Sequence, residues 1–146
     1  MAERLTLEIG RATTSDRVLL DTFDARLRDA GLRAEWPGRR ASRRRLTLRE
    51  PGMPPRSADV EAGPAVALPA VPPGPVRDRL APVIEERALM PVTRVRSRVL
   101  RAAVLNGDAK TVVRLAVEHP VVDGHELPGR LLVEPVRGYE RDFDRV

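Results

Sequence analysis

Arginines recur at every second position of Thr93-Arg94-Val95-Arg96-Ser97-Arg98-Val99-Leu100-Arg101. In an extended strand, Arg94, Arg96 and Arg98 point to one face and Val95, Ser97 and Val99 to the other. Three guanidinium groups in a row repel one another unless something anionic lies across from them. Solvent, neighbouring carboxylates or a ligand can supply that charge. A guanidinium offers a planar fork of N–H donors that matches phosphate or carboxylate oxygens, so the chemistry of such a face is anion binding.

Other strand-like stretches carry charge in the same alternating way, with Arg45, Arg49 and Arg114 on one side of the account and Asp59, Glu61, Glu118 and Glu134 on the other. Two readings fit this pattern. In one, the charges form a solvated surface whose cross-strand pairs each contribute roughly a few tenths of a kcal/mol. In the other, arginines on a concave face grip phosphate oxygens, and Glu61, Glu118 and Glu134 hold a divalent cation such as Mg2+ or Mn2+. Nucleophilic catalysis is not indicated, because Thr13, Thr14 and Ser15 have no paired base in the pattern. His119 and His125 flank the loop His119-Pro-Val-Val-Asp-Gly-His125 and read as surface side chains.

The elements that must position these groups are mostly strands. Residues 5–9 and 17–23 read as strands, and Asp24 to Gly31 as one or two helical turns, capped by Asp24 and ended by Gly31. Strand pattern resumes at Leu32–Trp36, with Trp36 packing at its end before Pro37-Gly38. It returns at Arg43–Glu50 and Ser57–Glu61. The proline-rich stretch 62–75 reads as a connector. A helix is predicted over Pro75–Arg87, interrupted by Pro82. Val92–Leu105 and Thr111–Glu118 flank Asn106-Gly107, the clearest hairpin signal in the chain. Arg130–Val136 is the last strand pattern; residues 137–146 read as a terminal helix, with Tyr139 docking that segment.

Composition narrows the classes. A chain of 146 residues suffices for one domain, and 42% hydrophobic content excludes wholesale disorder. With no cysteine, disulfides and thiolate metal sites are excluded, and two histidines argue against a histidine zinc site. No run approaches the roughly 18 apolar residues of a membrane span. The opening MAERLTLEIG has no apolar signal region, so a cytoplasmic protein is expected. The net charge of +5 favours anionic partners. Nucleic acid has no specific support, because interleaved aromatics are missing.

The segment Leu19–Glu35 (LLDTFDARLRDAGLRAE) resembles the signature of CYTH domains, the triphosphate tunnel metalloenzyme superfamily, through Asp21, Thr22, Asp24, Leu27, Gly31, Leu32 and Arg33. LTLRE, ending in Arg49-Glu50, looks like that family's LTLK strand. TRVRSRV is similar to its basic strand, and LLVEPV to its closing acidic strand. The nearest flavour is the degenerate domain found ahead of CHAD domains in actinobacterial proteins, with RGYERDFDRV resembling the point where such chains continue.

The resemblance implies a single CYTH-like domain over residues 1–146, with the chain a fragment of a longer CYTH-CHAD protein. The fold it implies is α+β, mainly antiparallel β, an eight-stranded closed or nearly closed tunnel-like barrel with one or two helices. It also implies that Arg33, Arg45, Arg49, Arg94, Arg96, Arg98 and Arg114 bind triphosphate or inorganic polyphosphate. The family's N-terminal ExExK strand has no counterpart, since Glu3 and Glu8 are spaced differently and no lysine follows. Metal-dependent phosphoryl transfer needs those carboxylates, so binding without efficient catalysis is expected. A divergent metal-dependent triphosphatase and a structural or protein-interaction module are the alternatives.

Overall fold

The computed structural model describes residues 4–144. It is mainly antiparallel β-sheet, with strands β1 (Thr6–Asp21), β2 (Arg33–Pro37), β3 (Arg43–Arg49), β4 (Arg56–Glu61), β5 (Val66–Ala67), β6 (Ala88–Leu105), β7 (Thr111–Val122), β8 (His125–Glu126) and β9 (Arg130–Pro135). Helix α2 (Pro75–Ile84) is accompanied by two single helical turns, α1 (Arg26–Asp29) and α3 (Glu140–Phe143). Residues 145–146 of the expected terminal helix lie outside the described residues. Among the described residues, no ladder closes the strands into a ring. No described helix is long and apolar enough to cross a membrane.

The chain divides into two compact units, one of Met1–Ser15 with Arg96–Val146 and one of Asp16–Val95. The strands β1 and β6 contribute to both. Most of the two stretches separated in the sequence pattern, 5–9 and 17–23, is thus part of one long strand, which begins at Thr6 and ends at Asp21, before Thr22 and Phe23. Thr13 and Thr14 carry it across the gap, since β-branched residues suit an extended backbone.

In the Asp16–Val95 unit, β4, β3, β2 and the second half of β1 are neighbours in that order. Alternation sends Leu20, Ala34, Trp36, Leu46, Leu48 and Val60 to one face, where they pack with Leu27, Val76, Leu80 and Ile84. The last three recur along α2 at helical spacing, as the sequence pattern requires. Pro82 stays inside α2, which ends at Ile84. The proline-rich connector does more than link elements, because Val66 and Val71 are buried in this core and Val66 pairs with Leu89. Each such buried aliphatic side chain contributes about 1.5–3 kcal/mol.

The Asp21-Thr22-Phe23-Asp24 segment is occupied by capping, with roles different from those expected. The Asp21 carboxylate accepts from the backbone N–H groups of Leu27 and Arg28, and Thr22 Oγ1 accepts from that of Arg26. Asp24 lies one step back, accepting the Thr22 hydroxyl at 2.8 Å and pairing with Arg26 and Arg87. Helix N–H groups need acceptors upstream, and Ala25 at φ 57° turns the chain so that Asp21 and Thr22 supply them.

In the other unit, the first half of β1, the second half of β6, then β7 are neighbours, and β7 pairs with both β8 and β9. Between Leu127 and Arg130 the register against β7 slips by one residue, a bulge at Pro128-Gly129. A small core of Val104, Val112 and Val113 gathers Leu5, Leu115, Tyr139 and Phe143, so Tyr139 does dock the C-terminal segment. The Asn106-Gly107 hairpin is present. Its loop runs on to Lys110, with Asn106 Oδ1 accepting from the N–H groups of Asp108 and Lys110.

Candidate anion-binding sites

Cross-strand partners share a sheet face, and the registers of the Asp16–Val95 unit collect charge on one. Leu19 lies opposite Glu35, Arg33 opposite Arg49, Glu35 opposite Thr47, Arg45 opposite Asp59 and Arg43 opposite Glu61. The polar face of β1–β4 therefore carries Arg17, Arg33, Arg43, Arg45 and Arg49 with Glu35, Asp59 and Glu61. Its centre is Glu35, which is only 8% exposed. Arg49 Nε donates to Glu35 Oε1 at 2.8 Å, while Arg33 Nε and Arg17 Nε stand 3.3 and 3.5 Å from Oε2. Three guanidinium groups thus converge on one carboxylate. Farther along, Arg45 meets Asp59 at 3.4 Å, both well exposed.

Arg94 belongs to this unit as well and is held by a carboxylate. Its Nε donates to Asp16 Oδ1 at 2.7 Å and its second nitrogen to Oδ2, the fork the sequence pattern allowed. The hydrogen bonds, then the Coulomb attraction of Asp16, hold the Arg94 guanidinium above its usual pKa. Gly38 makes room for the pair, since a Cβ there would collide with the Asp16 carboxylate.

The alternation of the arginine strand holds along β6: Arg94, Arg96 and Arg98 are exposed, and Val95, Ser97 and Val99 are buried. In the unit containing Arg96–Val146, Arg96 and Arg98 line an open groove of about 680 Å³ with Thr13, Thr14, Ser97, His119 and Glu126. Among the described lining residues, Glu126 is the one carboxylate. Arg98 forms no ion pair among the described residues. At the next position of β6 but two, Arg101 Nη1 donates to Thr13 Oγ1 at 3.0 Å and Thr13 Oγ1 donates to the Val99 carbonyl at 3.4 Å, tying β1 to β6 beside the groove. Ser97 is 1% exposed, and its Oγ has no hydrogen-bond partner among the described residues. His119 and His125 are both exposed, as expected of surface side chains.

The remaining expected site residues are placed on β4, β7 and β9. Arg114 is exposed and faces Glu134 across the β7–β9 ladder. Glu118 is 7% exposed and lies opposite Arg130, whose Nη2 is 3.3 Å from its Oε2. Glu118 and Glu134 share a face but stand two cross-strand pairs apart, roughly 13 Å at the usual strand rise. A single cation is ligated at about 2.0–2.6 Å, so these two carboxylates do not share one. Glu61 is on β4 in the Asp16–Val95 unit. Among the described residues, no three carboxylate or imidazole groups gather to hold a metal ion.

Several residues of these clusters are not among those picked out from the sequence: Arg17, Glu35, Arg101 and Arg130. Arg17 shares the phase of Leu19 in β1, which is a usable signal once the register of β2 is known. Glu35 only ends the Leu19–Glu35 segment in the sequence, and in the fold it lies against three arginines. Comparison with protein-family models, with curated proteins and with solved structures finds no match for the chain.

Proposed function

We propose that this chain binds inorganic polyphosphate or a triphosphate-containing ligand through its arginine-bearing strand faces, without efficient turnover. The observation that carries this reading is the groove beside β6. Two arginines enter its wall from alternate positions of one strand, with threonine hydroxyls next to them and one carboxylate in the described lining. Guanidinium groups about 7 Å apart along a strand span more than one P–O–P link, so they suit non-adjacent phosphates of an extended chain, which offer oxygens for forked hydrogen bonds. The cluster around Glu35 supports the same chemistry, because the Arg33 and Arg49 side chains are 40% and 44% exposed on one sheet face.

On this reading the chain is a degenerate CYTH-like domain of a cytoplasmic protein. On the same reading its tunnel-like barrel is nearly rather than fully closed, and its neighbour in a longer protein is a CHAD domain. Among the described residues no three carboxylates gather around a common point, and the proposed binding routes no step through a metal ion.

Titration calorimetry with tripolyphosphate at low salt, with and without magnesium, tests the proposal. Exposed charge-assisted contacts are worth about 1 kcal/mol each, so Arg96→Ala/Arg98→Ala is expected to weaken binding by roughly 10- to 50-fold. Absence of binding to the wild type, or unchanged affinity in the double variant, refutes it. Phosphate release that is lost in Glu134→Ala would assign a hydrolase instead.

A further inference from the structure

The strand β9 is an edge. It pairs with β7 along one side, and among the described residues no strand pairs with the other. Every residue of Arg130-Leu-Leu-Val-Glu-Pro135 is exposed, with Leu131 at 62%, Leu132 at 44% and Val133 at 40%. Exposed edges with apolar side chains on both faces invite strand addition, and proteins ordinarily blunt them.

The backbone says which groups point outward. Val136 N–H donates to the Val112 carbonyl, so 136 and 112 form a hydrogen-bonded pair. Such pairs alternate along an antiparallel ladder. The residues at 130, 132 and 134 therefore bond to β7, and Leu131 and Val133 turn their N–H and C=O groups away from it. Pro135 falls in the outward phase, where its missing N–H costs the β7 ladder nothing.

We propose that β9 pairs antiparallel with β9 of a second copy of this chain, about a two-fold axis through Leu132. In that register Leu131 lies opposite Val133 of the second copy, and the two exchange reciprocal backbone bonds on each side of the axis. Arg130 lies opposite Glu134 of the second copy. Reversed, the segment is its own complement in charge: basic, apolar, apolar, apolar, acidic meets acidic, apolar, apolar, apolar, basic.

The flanking strands extend the match. Within one copy, Arg114 faces Glu134 and Glu118 faces Arg130. Joining the edges therefore makes rows across four strands that run Arg114, Glu134, then Arg130 and Glu118 of the second copy, alternating in sign throughout. On the opposite face the corresponding row is Leu115, Val133, then Leu131 and Val117 of the second copy, all apolar. Glu134, which has no ion pair among the described residues, gains one. The isologous contact closes on itself. Its size is that of a strand seam rather than a permanent interface, so the dimer is reversible.

Sedimentation of the full chain over a wide concentration range is the test. The expected mass rises from 16.2 kDa toward twice that value. Val133→Pro removes an outward N–H without touching the bonds to β7, and Leu132→Lys sets two ammonium groups against each other at the axis. Each is expected to weaken dimerisation by at least about tenfold while the circular dichroism spectrum stays that of the wild type. Leu132→Cys, in a chain with no other cysteine, is expected to yield a disulfide-linked dimer on oxidation. A wild type that stays monomeric at all concentrations overturns the proposal. So does a dimer indifferent to both edge variants, or a monomer whose Leu131 and Val133 amides are protected from exchange by another segment.

Discussion

Replacing Glu35 by glutamine removes one negative charge and almost no volume, which makes it a clean probe of the arginine cluster. The carboxylate has 10% side-chain exposure and lies within 3.5 Å of the Nε atoms of Arg17, Arg33 and Arg49. Stripping the counter-charge from a fully buried pair costs about 3–5 kcal/mol. Here only Arg17 is substantially buried, with 14% side-chain exposure. Arg33 and Arg49 are 40% and 44% exposed, where water screens each contact to roughly 1 kcal/mol or less. Glu35→Gln is therefore expected to destabilise the fold by about 2–3 kcal/mol, a melting-temperature drop of roughly 5–10 °C for a chain of this length.

Urea and thermal unfolding read through Trp36 fluorescence measure this directly, since Trp36 is the one tryptophan and is 1% exposed. Raising the salt to about 1 M, where the screening length falls to roughly 3 Å, should recover part of the loss. Adding Arg49→Gln to Glu35→Gln should cost less than the two single changes together, because one of the mutually repelling cations is gone. A Glu35→Gln protein that unfolds within about 0.5 kcal/mol of the wild type at low salt would refute the reasoning.

Asp21→Ala deprives the N–H groups of Thr22, Leu27 and Arg28 of their acceptor and is expected to cost about 1–2 kcal/mol by urea denaturation. Ser97→Ala removes a buried hydroxyl that has no partner among the described residues and is expected to leave stability unchanged or raise it by about 1 kcal/mol in the same assay. The hydrogen bonds from Arg79, outweighing partial burial, hold the Glu50 carboxyl below its ordinary 4.5. Its stabilising contribution is then present above that value and lost as pH falls through the lower folded one. Glu50→Gln should accordingly flatten the acid limb of a stability-against-pH curve below about pH 4.5, and an unaltered limb would contradict the assignment.

The alternation of β6 was legible before any coordinates, because a strand has a period of two and Val95, Ser97 and Val99 could only share a face. The same logic exposed the core face of β3 and the buried stripe of α2. The continuity of β1 was not legible, since Gly10–Asp16 lacks apolar alternation and its extended form depends on β6 alongside it. Capping falls to Asp21 and Thr22 rather than to Asp24 because it depends on where the chain turns, and that turn passes through a left-handed Ala25.

What the sequence determined by itself is which side chains travel together on a strand face, a property of local geometry alone. What only the tertiary structure decided is which charges meet. Glu35 finds Arg17, Arg33 and Arg49 from neighbouring strands, Arg94 is claimed by Asp16, and Arg98 is left to the groove. Those outcomes depend on register, which long-range pairing sets and no single strand encodes. The open edge of β9 is of the same kind: its self-complementary charges stand in the sequence, and its lack of a second neighbour among the described residues appears only once β7 has taken the other side.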